Sequence, residues 1–237
     1  MITKPTVFIL GAGASKPFDF PLGAELKDNL AKDLKSDGTV FFRDIIQFWM
    51  KDAEPLLQFG KQLQLSPLYS VDRFLENRPD LMEAGKFCMA NAIIKHESDT
   101  RNKFWQIGFD HWLRYLFDKM CDKFEIFSKN KVSFITFNYD RTVEHFLHES
   151  LKHTFNRSDR ECAEVVKKFD IIHVHGKVGL LPWETNTPEG EFVVPYGKTK
   201  FWRDSKDRKN LIESLKIVHD EVEGEELDNA IRGSIQR

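Results

Sequence analysis

Cysteine is scarce in this chain. Its 237 residues include three cysteines, Cys88, Cys121 and Cys162, which are widely separated and odd in number. They can form neither a disulfide framework nor a CxxC metal knuckle. We therefore expect a reducing, cytoplasmic environment and no metal site.

Long apolar runs and an excess of one charge are also missing. The only apolar run near the N-terminus, residues 7–10, is broken at once by glycine and is too short for a signal peptide or a membrane span. The formal net charge is −2, which leaves no global field to hold nucleic acid or an anionic membrane. The sequence therefore predicts neither of these as a partner.

Glycine and proline are too few for a collagen-like or low-complexity chain, at 13 and 9 residues. Hydrophobic residues make up 41% of the chain, which is enough for a sizeable core. The 21 phenylalanines lack a polar group and are expected inside that core. At this length we expect one elaborated domain.

Three short runs of β-branched and aromatic residues predict buried strands, at residues 7–10, 132–136 and 171–174. Leucines at helical spacing between residues 22 and 34 predict a helix that packs on the first strand. Residues 40–128 have helical periodicity and no strand pattern, which indicates an all-helical insertion over one edge of the sheet. The predicted fold is α/β: a single domain, residues 1–237, in which residues 1–38 and 130–237 form a Rossmann-like parallel sheet.

The segments after the second strand are less regular. Asp140 occupies the expected N-cap of a helix that runs to about residue 152. Residues 176–197 contain several glycines and prolines and predict a long loop. Two helices, at 206–221 and 225–235, are predicted to close the chain.

Each predicted strand runs directly into polar or glycine-rich residues. The three segments are Gly11-Ala12-Gly13-Ala14-Ser15, Phe137-Asn138-Tyr139-Asp140 and His175-Gly176. In open parallel sheets, ligands bind beyond the carboxyl ends of the strands. We therefore expect the three segments to converge on one site.

The first of these segments suits a pyrophosphate group. Glycines let the backbone approach a ligand closely, and the following helix N-terminus offers unpaired N–H groups and the positive end of its dipole. The dinucleotide fingerprint GxGxxG is incomplete, because Lys16 stands where its third glycine belongs. A purely structural strand-to-helix turn is the alternative interpretation.

Asn138, Asp140 and His175 are the candidate polar residues of the other two segments. Asn138 and Asp140 lie two positions apart, so a strand-like backbone points both to one side, where an amide can hold a ribose hydroxyl or a water molecule. The alternative is an Asx-type turn with Asp140 as helix N-cap. His175 could accept a proton near neutral pH, or it is a buried histidine satisfied by the core.

Two further patterns indicate metal or nucleic-acid binding less strongly. His173 and His175 form an HxH pair, but nothing nearby supplies the third ligand that zinc needs. His145 and His148 are interpreted as a polar helix face. Residues 198–209 combine six basic residues with two aromatic residues, as in some single-strand binders, although a solvated loop and helix start fits the neutral total charge better.

Four ordered segments together resemble the signatures of the sirtuin superfamily. They are residues 8–15 (FILGAGAS), 70–75 (SVDRFL), 136–140 (TFNYD) and 173–176 (HVHG). The likeness covers nearly the whole chain and is greatest to bacterial sirtuin-like proteins, which typically read GAGAS, S-x-D-x-F-L, T-x-N-Y-D and HG. Ordered motifs at suitable spacing are more specific than any one of them.

The chain departs from the lysine-deacylating sirtuins at two points. Those enzymes carry Gln-Asn before the catalytic turn and bind zinc through two CxxC pairs, whereas Phe137 replaces the glutamine here and no CxxC exists. The resemblance therefore implies NAD binding and cleavage of the nicotinamide–ribose bond, and it disfavours protein deacylation. In several bacterial relatives this activity depletes cellular NAD in antiviral defence.

The resemblance also assigns roles to individual residues. The pyrophosphate of NAD would be held by Gly11, Ala12, Gly13, Ala14 and Ser15. Asn138 would orient the ribose and the attacking water, Asp140 would shape the nicotinamide pocket, and His175 would act as the base. Asp72 matches a motif, but its position assigns it no role.

The expected function is thus a toxic, NAD-depleting hydrolase that acts as a homo-oligomer or with a partner defence subunit. NAD is its expected substrate, and no zinc is expected. The alternative is a non-catalytic module that senses NAD or ADP-ribose within a larger assembly.

Relatives of this kind usually continue beyond a helix like 225–235. A further strand and a glycine-bearing turn then line the adenosine side of the cofactor. The given sequence ends at Arg237, before such a strand. The resemblance therefore implies a truncated form, with a sheet one edge strand short and weaker NAD binding than in an extended form.

Overall fold

The structure is a computed structural model that describes residues 1–35, 39–49, 52–106, 108–185, 191–199 and 205–217. Eleven α-helices and one three-stranded parallel sheet make up this described part of the chain, so the protein belongs to the α/β class. The helix predicted at 225–235 lies outside the described residues.

The parallel sheet has three strands in sequence order: β1 (Thr6–Leu10), β2 (Val132–Thr136) and β3 (Ile171–His173). All three predicted strands are confirmed, although β3 ends before Val174, because the chain turns there and Gly176 adopts a φ of 72°. Leu10 pairs with Thr136, and Thr136 with His173, so the strands end side by side. The segments that follow the three strands therefore start from one edge of the sheet.

The two faces of the sheet are covered differently. Phe8 stacks on Phe134 with ring centroids 5.6 Å apart and lies 6.5 Å from the ring of Trp112. That face packs into the hydrophobic core. Ile9, whose side chain points to the opposite face, is 71% exposed.

Two helices follow the first strand. The short α1 (Ala12–Ser15) begins directly after Gly11, and a 3₁₀ turn leads on to α2 (Gly23–Asp33). The predicted helix over 22–34 is confirmed, and its Leu26 and Leu30 are buried, but it packs mainly on helices of the block that follows and not on β1. The glycine segment thus opens a helix of one turn, and the long helix starts later.

The block between residues 40 and 128 is helical, as its periodicity predicts. Its helices are α3 (Val40–Trp49), α4 (Glu54–Leu65), α5 (Val71–Glu76), α6 (Met82–Thr100), α7 (Trp112–Met120) and α8 (Phe124–Phe127). Its described residues contain no strand. Helix α6 forms the centre of the block, because nearly every side of it is buried. Its buried residues include Phe87, Met89 and Ile93.

Three helices follow β2: α9 (Thr142–Phe155), α10 (Asp159–Val166) and α11 (Ser205–Ser214). Helix α10 was not predicted, although Ser158 and Glu161 form a capping box at its start. Helix α11 ends before the predicted end at residue 221. No helix in the described ranges is long and apolar enough to cross a membrane.

A buried ion pair joins the helical block to the segment after β2. The side chains of Arg141 and Glu97 are both fully buried, and Arg141 Nε donates to Glu97 Oε1 at 3.1 Å. The backbone N–H groups of Arg141 and Gly197 donate to the same carboxylate at 3.1 and 3.3 Å. Glu97 therefore holds the residue next to Asp140 against α6.

Candidate functional site

The three segments that follow the strands line one cleft of about 240 Å³, here called the strand-end cleft. Ala12 and Ser15 come from the segment after β1, Asn138, Tyr139 and Asp140 from the segment after β2, and His175 from the segment after β3. The predicted convergence of these segments is confirmed.

Ser15 joins two of the segments through hydrogen bonds. Its Oγ donates to Asp140 Oδ2 at 2.8 Å and accepts from Asn138 Nδ2 at 3.0 Å. Asn138 Nδ2 also donates to the backbone carbonyl of Gly11 at 3.0 Å. Four of the predicted site residues therefore belong to one hydrogen-bonded group.

Asp140 lies at the base of this group and is buried. Burial raises the pKa of its carboxyl, while hydrogen bonds from Thr142 and Ser15 act in the opposite direction. The backbone N–H of Thr142 donates to Asp140 Oδ1 at 3.1 Å, whereas the N-cap position of α9 is Arg141. The N-cap predicted at Asp140 is therefore wrong by one position, although the Asp140 carboxylate still accepts from the first turn of α9 and both of its oxygens are engaged.

His175 differs from these residues because it is not part of the hydrogen-bonded group. Its Nδ1 is buried and has no partner among the described residues. Its ring lies 5.7 Å from the ring of Phe137 and 6.3 Å from that of Tyr139. Burial lowers the pKa of His175, and the charge of Asp72 opposes this effect. The interpretation as a histidine satisfied by the core therefore does not fit, because one nitrogen of this cleft-lining ring has no partner among the described residues.

Asp72 and Tyr139 complete the cleft and were not assigned from the sequence. The Tyr139 hydroxyl lies 2.7 Å from Asp72 Oδ1 and 3.0 Å from the backbone carbonyl of Lys216. Asp72 is in the first turn of α5, so the helical block contributes directly to the site. The S-x-D-x-F-L motif marks Asp72 in the sequence, but no local pattern indicates its contact with Tyr139.

The glycine turn before α1 leaves open space beside the cleft. A Cβ added at Gly11 or Gly13 would meet no atom within 4 Å, and Gly11 has a φ of −112°, so the fold requires glycine at neither position. Gly176 is different, because a Cβ there would lie 2.1 Å from the carbonyl oxygen of Ser214. Lys16, at the position of the third fingerprint glycine, pairs with Glu25 of α2. The turn is therefore free to admit another molecule close to its backbone.

His173 and His175 have different surroundings, although they lie two residues apart. His173 Nδ1 is 2.9 Å from the backbone carbonyl of Asn138, and Nε2 is 2.8 Å from Glu144 Oε1. His173 therefore contacts the backbone of a cleft residue, and its two ring nitrogens are engaged by Asn138 and Glu144 instead of pairing with His175 at a metal site.

A cluster of possible metal ligands lies elsewhere, at His148, Glu149 and Asp159, whose ligand atoms are within 4.8 Å of one another. It borders a larger cavity of about 600 Å³ that none of the three strand-end segments lines. His148 already bonds Glu149, and Asp159 bonds Lys152 at 2.7 Å. His148 is also buried and stacks on Trp183, so its assignment to a polar helix face was wrong. The absence of zinc stays a prediction.

The basic segment at 198–209 is partly structural. Arg208 is buried, donates to the backbone carbonyl of Trp49 and holds its guanidinium 5.5 Å from the Trp49 ring. Residues 200–204 lie outside the described residues. Arg208 is therefore engaged by α3 and is not available to a nucleic acid.

The strand-end cleft is the candidate functional site, since it combines a partnerless buried imidazole nitrogen, an open glycine turn and the common edge of three parallel strands. The chain matches no protein-family model, no curated protein and no solved structure. The likeness to sirtuins therefore rests on the sequence motifs alone.

Proposed function

We propose that this chain is a sirtuin-like NAD hydrolase that cleaves the bond between nicotinamide and ribose. The observation that supports this most is that Ser15, Asn138 and His175, from three separate strand ends, line one cleft. The proposal includes a Rossmann-like sheet formed by residues 1–38 and 130–237, with residues 40–128 as its helical insertion.

The glycine turn would hold the pyrophosphate of NAD. Gly11 and Gly13 are exposed and have no neighbour where a side chain would begin, so phosphate oxygens can reach the backbone N–H groups. The cleft itself is about 240 Å³, smaller than the ~300–1,000 Å³ of a typical ligand pocket. It therefore suits the nicotinamide and its ribose, with the rest of the dinucleotide lying over the turn. Asp140 shapes the floor through its bond to Ser15.

The proposed reaction is the hydrolysis of an N-glycosidic bond. The bond between ribose C1′ and the nicotinamide nitrogen breaks, its electron pair leaves with nicotinamide, and an oxocarbenium-like ribose develops. A water oxygen then bonds to C1′ and its proton passes to His175, which later releases it to solvent. The cationic nicotinamide leaves as a neutral molecule, so no general acid is needed.

The surroundings of His175 and Asn138 support these roles. Because burial lowers the pKa of His175, its ring is neutral near neutral pH and can accept a proton. Asn138 donates through Nδ2 to Gly11 and Ser15, and no described residue donates to its side-chain oxygen. That oxygen is available to a ribose hydroxyl or to water.

A second candidate function is a non-catalytic module that binds NAD or ADP-ribose. The hydrogen bonds of Asn138 to Gly11 and Ser15 favour it, because an amide committed to the protein acts structurally. A toxic, NAD-depleting role in bacterial antiviral defence, as a cytoplasmic homo-oligomer or with a partner subunit, follows only from the resemblance and is part of the first proposal.

Substitution of His175 tests the catalytic proposal. The change His175→Ala is expected to lower NAD turnover by on the order of 100-fold or more, with a smaller effect on NAD affinity. The matched control is His153→Ala on α9, a side chain that is 67% exposed, which should leave turnover unchanged. Equal turnover in the His175 variant would remove its role, and a wild-type protein that binds NAD without turnover would favour the binding module.

A further inference from the structure

His173 lies next to the strand-end cleft, and the proposed reaction does not use its buried side chain. Its side chain is 6% exposed and that of its partner Glu144 is 3% exposed. His173 is not among the residues that line the cleft, so it does not meet a bound ligand directly. Any effect of His173 on the site must pass through a neighbour.

The neighbour on the cleft side is Asn138, which is held at three places. Its backbone N–H donates to Thr136 Oγ1 at 3.1 Å, and its side-chain amide donates to Gly11 and Ser15. Its backbone carbonyl faces His173 Nδ1 at 2.9 Å. Loss of the carbonyl contact would let the peptide after Asn138 rotate, which moves both the Asn138 amide and Tyr139.

Both ring nitrogens of His173 face hydrogen-bond acceptors. A backbone carbonyl can only accept, so His173 Nδ1 donates to Asn138. Glu144 Oε1, which lies 2.8 Å from Nε2, also accepts from Lys177 Nζ at 3.1 Å, as an ionised carboxylate does. With Glu144 ionised, Nε2 must donate too, and the ring then carries two protons.

The charges around Glu144 agree with its ionised form. Burial alone would favour a neutral Glu144, but the surrounding charges, Lys177 among them, hold the pKa of Glu144 well below its ordinary value. Lys177 is in turn paired with Glu184. The buried carboxyl of Asp140 is the other acidic group near the ring. Charge-assisted hydrogen bonds in a buried setting are shorter and stronger than neutral ones.

We propose that His173 is a positioning residue of the strand-end cleft: Glu144 holds it in the doubly protonated form, and it fixes the backbone carbonyl of Asn138. The prediction for the geometry stands independently of any activity. The prediction for turnover rests on the proposed NAD hydrolysis. His173 itself neither touches the substrate nor moves a proton in that reaction.

Nuclear magnetic resonance of histidine-labelled protein tests the geometry. Two-bond proton–nitrogen correlations should show protons on both ring nitrogens of His173. In Glu144→Gln, which keeps the shape of the side chain, the ring should become neutral and retain only the Nδ1 proton. The control is Glu149→Gln on the same helix, whose carboxylate bonds His148 instead, and it should leave the His173 signals unchanged. A wild-type ring with one proton, or one that Glu144→Gln leaves doubly protonated, would overturn the assignment.

The positioning role has its own readout. His173→Gln and Glu144→Gln should shift the side-chain amide resonances of Asn138, whereas Glu149→Gln should not. In an active protein, Glu144→Gln should lower kcat about 10- to 100-fold with little change in KM, as expected for a misplaced reactive group. Unmoved Asn138 resonances would refute the positioning role. If the wild type does not cleave NAD, the proposed function fails while the resonances still decide the role of His173.

Discussion

Replacement of Glu97 by alanine is expected to be one of the most destabilising single changes in this protein. The Glu97 carboxylate is fully buried and accepts from the backbone N, Nε and Nη2 of Arg141. Glu97→Ala leaves the Arg141 guanidinium buried without its counter-ion, which typically costs about 3–5 kcal/mol. For a protein of this size, that corresponds to a fall in melting temperature of roughly 6–20 °C.

Urea unfolding followed by circular dichroism measures this change, with Asp99→Ala as the matched control. Asp99 is on the same helix and pairs with Lys95, but both side chains are about half exposed. An exposed pair at this spacing contributes only about 0.3–0.5 kcal/mol. A Glu97→Ala protein that is no less stable than the Asp99→Ala protein would refute the reasoning.

A double variant tests how much of this loss comes from leaving one buried charge of the Glu97–Arg141 pair without its partner. Burial raises the pKa of Glu97 while the charge of Arg141 opposes this, so part of the attraction between the two charges is offset by their desolvation. Replacement of both residues by apolar ones, Glu97→Leu with Arg141→Met, should therefore recover much of the stability that Glu97→Ala loses. A double variant as unstable as the single one would show that the hydrogen bonds to the carboxylate matter more than its charge.

Three further outcomes follow from the site. Burial holds the pKa of His175 below its usual value, so NAD turnover should rise with pH around a midpoint below ~6.5. Asp72→Asn should lower that midpoint further, because it removes the charge that opposes the effect of burial, and a wild-type midpoint above ~6.5 would contradict the assignment. Gly13→Ala should change the free energy of unfolding by no more than about 0.5 kcal/mol but weaken NAD binding measured by calorimetry. Gly176→Ala, at a φ of 72°, should lower the free energy of unfolding by more than about 1 kcal/mol, and the reverse order of stability would contradict the open turn. Elemental analysis should find no stoichiometric zinc, and one tightly held zinc per chain that His148→Ala removes would point to the cluster of His148, Glu149 and Asp159.

The strands and their common edge could be predicted because both follow from local pattern. Each strand is a short run of β-branched and aromatic residues that ends in polar residues or glycine, and parallel strands bring their carboxyl ends to one edge. Ser15, Asn138, Asp140 and His175 therefore came together as expected. Helix α10 was not predicted, although the sequence marks it twice: Ser158 and Glu161 form a capping box at its start, and its buried residues Cys162, Ala163, Val165 and Val166 share one face.

The contacts that complete the site could not be predicted, because they join distant parts of the chain. Asp72 meets Tyr139 across 67 positions, and Glu97 meets Arg141 across 44. No spacing rule encodes such pairs, which form only when the helical block packs against the segment after β2. The different surroundings of His173 and His175 also depend on the turn at the end of β3, which ends the alternation of a strand.

The most direct test of the proposed function is the fate of NAD itself. Purified protein should be incubated with NAD, and nicotinamide and ADP-ribose should be measured by liquid chromatography beside a His175→Ala control. The proposal predicts equal amounts of the two products, released by the wild-type protein and nearly absent from the control. Intact NAD after prolonged incubation with folded wild-type protein would contradict it.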